Sequence, residues 1–134
     1  MKASSKYQSL AIILFALVYL VVGVAFPNPP ASNKFQFAWR LAAWLICAVA
    51  FAIHIALAHF RFRNSPRSTA LQAATSVALG AFGLAIAANL HSLTTGTGNR
   101  HLLAAALVIW PLLTGAPAFV VALIAATLLA KSKR

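Results

Sequence analysis

Apolar residues fall into four long blocks along the chain, separated by short polar or basic segments. The blocks cover residues 8–26, 38–60, 70–91 and 102–130. Each is long enough for a helix across the hydrocarbon core, which takes about 20 residues. Because the connections are short, consecutive helices are predicted to be antiparallel neighbours. The pattern predicts an all-α fold, an integral membrane four-helix bundle that forms one transmembrane domain over residues 1–134.

Composition supports this class and excludes several functions. The chain is 62% hydrophobic and 8% charged, and its 134 residues include no aspartate or glutamate. No side-chain carboxylate is therefore present to act as general acid or base, bind a metal or carry protons. Small multidrug exporters and the four-helix glutathione-linked membrane enzymes both use a glutamate that this chain lacks. We predict that the protein is not an enzyme.

The basic residues are distributed unevenly between the two sides. Eight of the eleven lysines and arginines fall on the side of the termini and of the second connection. Since cytoplasmic loops retain basic residues, both termini are predicted to be cytoplasmic, in a bacterial inner membrane. Predicted contacts with anionic headgroups are Arg61, Arg63, Arg67, Lys131, Lys133 and Arg134. Nucleic acid is not an expected partner.

The first and third blocks carry further signals. Lys2 and Lys6 precede an apolar stretch that ends in Gly23-Val24-Ala25, so a cleaved signal peptide is the alternative to a retained first helix. Ser68 or Thr69 is expected to cap the third helix.

Small residues recur through the third helix at spacings of three and four. This spacing lets membrane helices approach closely, so we expect this helix to lie at the centre of the bundle. The predicted packing positions are Gly80, Ala81, Gly83 and Ala85.

The fourth block contains two prolines within a long apolar stretch. Each proline removes a backbone hydrogen bond and pushes against the preceding turn. A kinked or broken helix is therefore predicted, with the Thr114 hydroxyl satisfying a freed carbonyl. The break is assigned to Pro111, Thr114, Gly115 and Pro117.

His54 is the candidate cofactor ligand. His54 and His91 should differ in depth by about 20 Å, which excludes a bis-histidine iron site. Cys47 is the only cysteine, and no metal site is predicted. The segment Ala50-Phe51-Ala52-Ile53-His54 resembles the alanine-x-x-x-histidine motif of bacterial light-harvesting polypeptides. That resemblance, over five residues, implies a chlorophyll-type pigment ligated by His54. Haem is the alternative cofactor for the same histidine.

Three functions remain. The favoured one is a structural or accessory membrane protein that packs with itself or with a larger complex and contacts anionic lipid. The second is an uncoupled or anion-selective channel or carrier beside the fourth helix. Its outer mouth would carry Arg40, His91, Arg100 and His101. The third is a membrane anchor that binds pigment or haem through His54; no cofactor is predicted under the favoured function.

Overall fold

Four long helices make up most of the part of the chain that the structure describes. The computed structural model describes residues 2–26 and 35–132, and all regular structure within those ranges is helical. The helices are α1 Lys2–Ala25, α2 Gln36–Ala56, α3 Pro66–Thr95 and α4 Arg100–Lys131, and α2 continues as a π-helical turn over Leu57–Arg61. Each of the four is long and apolar enough to cross a membrane, which is compatible with a multi-pass membrane protein.

The ends of α3 and α4 are set by local capping residues. Ser65 caps α3, because its hydroxyl accepts a hydrogen bond from the Ser68 amide. The expectation that Ser68 or Thr69 would cap this helix is wrong: Pro66 at the first helical position starts α3 earlier than the apolar pattern does. Gly96 ends α3 with φ +66°, and Asn99 caps α4 through its side-chain oxygen.

The helices run alternately up and down. Phe15 stacks on His54 whereas Phe26 contacts Trp39, nearer the start of α2, so α1 and α2 are antiparallel. We call the end of the bundle that carries residues 62–65 the loop end, and the end that carries residues 96–99 the turn end. Helix α3 makes the most extensive contacts, mainly with α4 and α1, while α2 contacts chiefly α1.

Glycines bring α1 and α3 together. A Cβ atom added to Gly80 would lie 2.7 Å from the Cβ of Tyr19 and 3.1 Å from the Ala16 carbonyl oxygen. At Gly83 the added atom would meet the side-chain ends of Leu20, at 3.1 Å and 3.2 Å. Gly80 thus faces backbone and a rigid Cβ, whereas Gly83 faces a flexible side chain.

Small residues also line the contact between α3 and α4. Ala70, Ala73, Ala122 and Ala126 are fully buried. A Cβ atom on Gly115 would lie 3.2 Å from the Cβ of Ala78. Gly115, predicted as part of a helix break, therefore lies at a close approach between two helices.

Helix α4 is continuous through both of its prolines. Pro111 and Pro117 lie inside one helix, so the chain is not divided into two helices there, and a kink stays a prediction. Thr114 donates to the Trp110 carbonyl at 2.8 Å. The prolines free the carbonyls four residues before them, at Leu107 and Leu113. The expectation that Thr114 satisfies a freed carbonyl is therefore wrong.

Candidate functional site

His54 lies between α1, α2 and α3 and is fully buried, with 0% of its surface exposed. The Phe15 ring stacks on its imidazole with a centroid distance of 4.4 Å and an angle of 6°. The Nδ1 atom of His54 lies 3.0 Å from the Ser76 hydroxyl oxygen. Three helices therefore fix the orientation of the imidazole.

The hydrogen-bond network is compatible with one tautomer of neutral His54. The Ser76 hydroxyl lies 2.8 Å from the Gln72 carbonyl oxygen, to which it can donate its single proton. With that proton so placed, the hydroxyl accepts from Nδ1–H, and the neutral imidazole has no proton on Nε2. Nε2 is buried and has no hydrogen-bond partner among the described residues.

Nε2 has the lone pair that a metal centre of haem or a chlorin would use. No part of the His54 surface is open, so a macrocycle could reach Nε2 only if neighbouring groups moved. Ligation of a pigment or haem by His54 stays a prediction. His91 lies 15 residues beyond Ser76 on α3, a rise of about 22 Å. The described residues contain no group of three histidine or cysteine side chains that could hold a metal ion.

Three side-chain amides form a closed ring of hydrogen bonds, and one of them belongs to Gln72, four residues before Ser76 on α3. Gln8 donates to Asn64 at 3.2 Å, Asn64 to Gln72 at 3.1 Å, and Gln72 back to Gln8 at 3.1 Å. Each amide donates once and accepts once. The ring ties α1 to α3 and to the loop between α2 and α3. Sequence patterns did not indicate it, because the three residues are far apart in the chain.

The π-helical turn places Asn64 in this ring. Phe62 donates its amide to the Leu57 carbonyl and Asn64 to that of Ala58, each at 3.1 Å. Between them Arg63 has φ +52°, in the left-handed region that residues other than glycine rarely adopt. The backbone strain at Arg63 is therefore coupled to the position of the Asn64 amide.

An apolar cleft of about 670 Å³ lies between α2 and the other three helices. Its wall includes Tyr19 from α1, Trp44 and Cys47 from α2, and Thr114 from α4. Tyr19 is only 9% exposed, and its buried hydroxyl has no partner among the described residues. No sequence pattern distinguishes Tyr19 from the other residues of the first apolar block.

The cations lie at the two ends of the bundle. Arg61, Arg63, Arg67 and Lys131 are exposed at the loop end, while Lys133 and Arg134 fall outside the described residues. Arg40, His91, Arg100 and His101 are exposed at the turn end. At the loop end a second groove, of about 440 Å³, is lined by Tyr7, Leu10, Ala11, Leu14, Arg61 and Phe62.

No family model, curated protein or solved structure matches this chain. A functional proposal therefore depends on the geometry of the chain itself.

Proposed function

We propose that this chain is a small structural or accessory membrane subunit whose basic loop end contacts anionic lipid or an acidic partner. The observation that carries the proposal is the exposure of Arg61, Arg63 and Arg67 in a chain that contains no aspartate or glutamate. No acidic side chain of the same chain is present to pair with these cations. Each basic residue near an anionic leaflet contributes about 1 kcal/mol of binding.

The groove beside Arg61 supports a lipid contact at this end. Its other lining residues, Tyr7, Leu10, Ala11, Leu14 and Phe62, are apolar or aromatic. An apolar groove bordered by one guanidinium suits an acyl chain with an anionic headgroup. In this proposal the four helices span a bacterial inner membrane with the loop end on the cytoplasmic side.

The polar interior supports a structural role. The amides of Gln8, Asn64 and Gln72 bind one another, and Ser76 connects Gln72 to His54. Asn89 donates to the Leu103 carbonyl at 2.8 Å and so joins α3 to α4. These hydrogen bonds hold helices together. The chain has no aspartate or glutamate, whose carboxylates general acid and base chemistry commonly uses.

Native mass spectrometry with defined lipids tests the lipid contact. Protein from nanodiscs that hold both anionic and zwitterionic lipid should retain the anionic one, and Arg61→Gln should weaken retention about fivefold. Arg40→Gln is the matched control, since Arg40 is exposed at the opposite end. Equal retention of both lipids by the unsubstituted protein would refute the lipid contact.

Affinity purification after crosslinking in native membranes tests the subunit role. We expect a larger membrane complex, or a multimer of this chain, at a defined mass. Recovery of the crosslinked chain only as a monomer would contradict the subunit role.

A further inference from the structure

We propose that the apolar cleft between α2 and the other helices binds an uncharged, membrane-dissolved quinone, with the Tyr19 hydroxyl donating a hydrogen bond to a ring carbonyl. A volume of about 670 Å³ is within the usual range of small-molecule sites. Every side chain that lines the cleft is uncharged. The ligand should therefore be uncharged as well, because an unpaired charge in an apolar site is costly.

Tyr19 supplies the polar contact. Tyr19 is only 9% exposed and lines the cleft. Its hydroxyl has no hydrogen-bond partner in the described part of the chain. A buried hydroxyl without a partner carries a desolvation cost of about 1–3 kcal/mol. A ligand acceptor atom would remove that cost once the groups that cover the hydroxyl moved aside, the same condition that applies to Nε2 of His54. Thr114, the other hydroxyl in the wall, already donates to a backbone carbonyl.

The depth of Tyr19 favours a quinone over the ester groups of ordinary lipids. The apolar part of α1, Ser5–Ala25, has 21 residues, a length close to the thickness of the hydrocarbon core. Tyr19 precedes Ala25 by six residues, or about 9 Å, and its Cα–Cβ bond tilts further towards the helix start. Ester carbonyls lie at the hydrocarbon boundary, whereas a quinone ring enters the core.

Aromatic side chains in the wall suit a planar ring. Phe26, Trp44 and Phe51 line the cleft together with Tyr19. Aromatic rings favour stacked or edge-on contacts with one another, and an isoprenoid tail could leave through the side of the cleft that faces lipid. Trp44 is 79% exposed in the isolated chain, so it can report on an occupant.

Quenching of Trp44 fluorescence by a short-tailed benzoquinone tests the proposal. The protein is placed in nanodiscs, with Trp39 and Trp110 replaced by Phe so that Trp44 is the only tryptophan. We expect saturable quenching that Tyr19→Phe weakens about tenfold. Thr75→Val is the control, because it removes a hydroxyl that lines neither this cleft nor the groove beside Arg61.

A second pair of variants tests the location. Ala48→Phe places a ring in the cleft and should abolish saturable quenching, while Ala52→Phe, at an exposed position one turn away that does not line the cleft, should leave it unchanged. Circular dichroism verifies that each variant retains its helices. Quenching that rises linearly and equally in all variants would mean simple partitioning of the quinone into lipid, and would overturn the proposal. A dimer that Ala48→Phe converts to monomer, without saturable quenching, would assign the cleft to a second copy of the chain and also overturn it.

Discussion

Gly80 is the position where one added methyl group should force two helices apart. In Gly80→Ala the new Cβ would lie 2.7 Å from the Tyr19 Cβ and 3.1 Å from the Ala16 carbonyl oxygen. Neither atom is the end of a flexible side chain, so α1 must shift as a unit. Overpacking of this kind costs about 1–3 kcal/mol.

Gly83→Ala is the matched control on the same helix. The atoms nearest its Cβ would be side-chain carbons of Leu20, the first at 3.1 Å, and this side chain can rotate away. Both substitutions gain about 1 kcal/mol of helix propensity, because alanine favours the helix over glycine. We therefore expect Gly83→Ala to be neutral or stabilising and Gly80→Ala to be less stable than it by about 2 kcal/mol.

The free energy of unfolding can be measured by titration with sodium dodecyl sulfate in mixed micelles, with helix content followed by circular dichroism. Gly23→Ala extends the comparison, since the atoms nearest its Cβ would be side-chain carbons of Leu84, which can also rotate. Equal stability of Gly80→Ala and Gly83→Ala would refute the argument that the contact of α3 with the α1 backbone is rigid.

Three further predictions concern the loop end and the topology. Arg63→Gly should raise the free energy of unfolding by about 1 kcal/mol in the same titration, because glycine adopts a positive φ without strain; a lower value would contradict this. Gln72→Leu leaves two amides of the ring one bond short and should cost about 1 kcal/mol, whereas replacing all three ring amides by Leu should cost less than three times that amount; strict additivity would show that the ring does not act as a unit. Reporters fused after Arg134 and within residues 61–67 should both indicate cytoplasm, and one within residues 96–98 the opposite side; a cytoplasmic signal from the last would refute the four-span topology.

Local sequence signals predicted the helices well and their ends less well. The four apolar blocks correspond to the four helices, yet α3 begins at Pro66 and ends at Thr95, beyond its block at both ends. Residues 66–69 and 92–95 extend α3 past this block because its caps, Ser65 and Gly96, lie outside the apolar stretch. Hydropathy contains no information about such caps.

Glycine has different roles that the sequence did not separate. Gly80 was predicted at a packing contact and Gly115 at a break, and both lie at close approaches between helices. A glycine near two prolines and a glycine in a row of alanines differ in sequence context. Which face of the helix each occupies relative to a neighbour depends on how the helices are arranged.

The sequence by itself determined the four apolar helices, each long enough to cross a membrane, and the lack of aspartate and glutamate, which rules out chemistry by their side-chain carboxylates. The tertiary structure alone decided which distant residues meet. Gln8, Asn64 and Gln72 form a ring, Phe15 covers His54, and the Tyr19 hydroxyl lies buried beside a cleft. The physical reason is that apolar patterning specifies burial along each helix, whereas contacts between helices depend on their rotation and relative height, which are set by small residues and side-chain hydrogen bonds between helices.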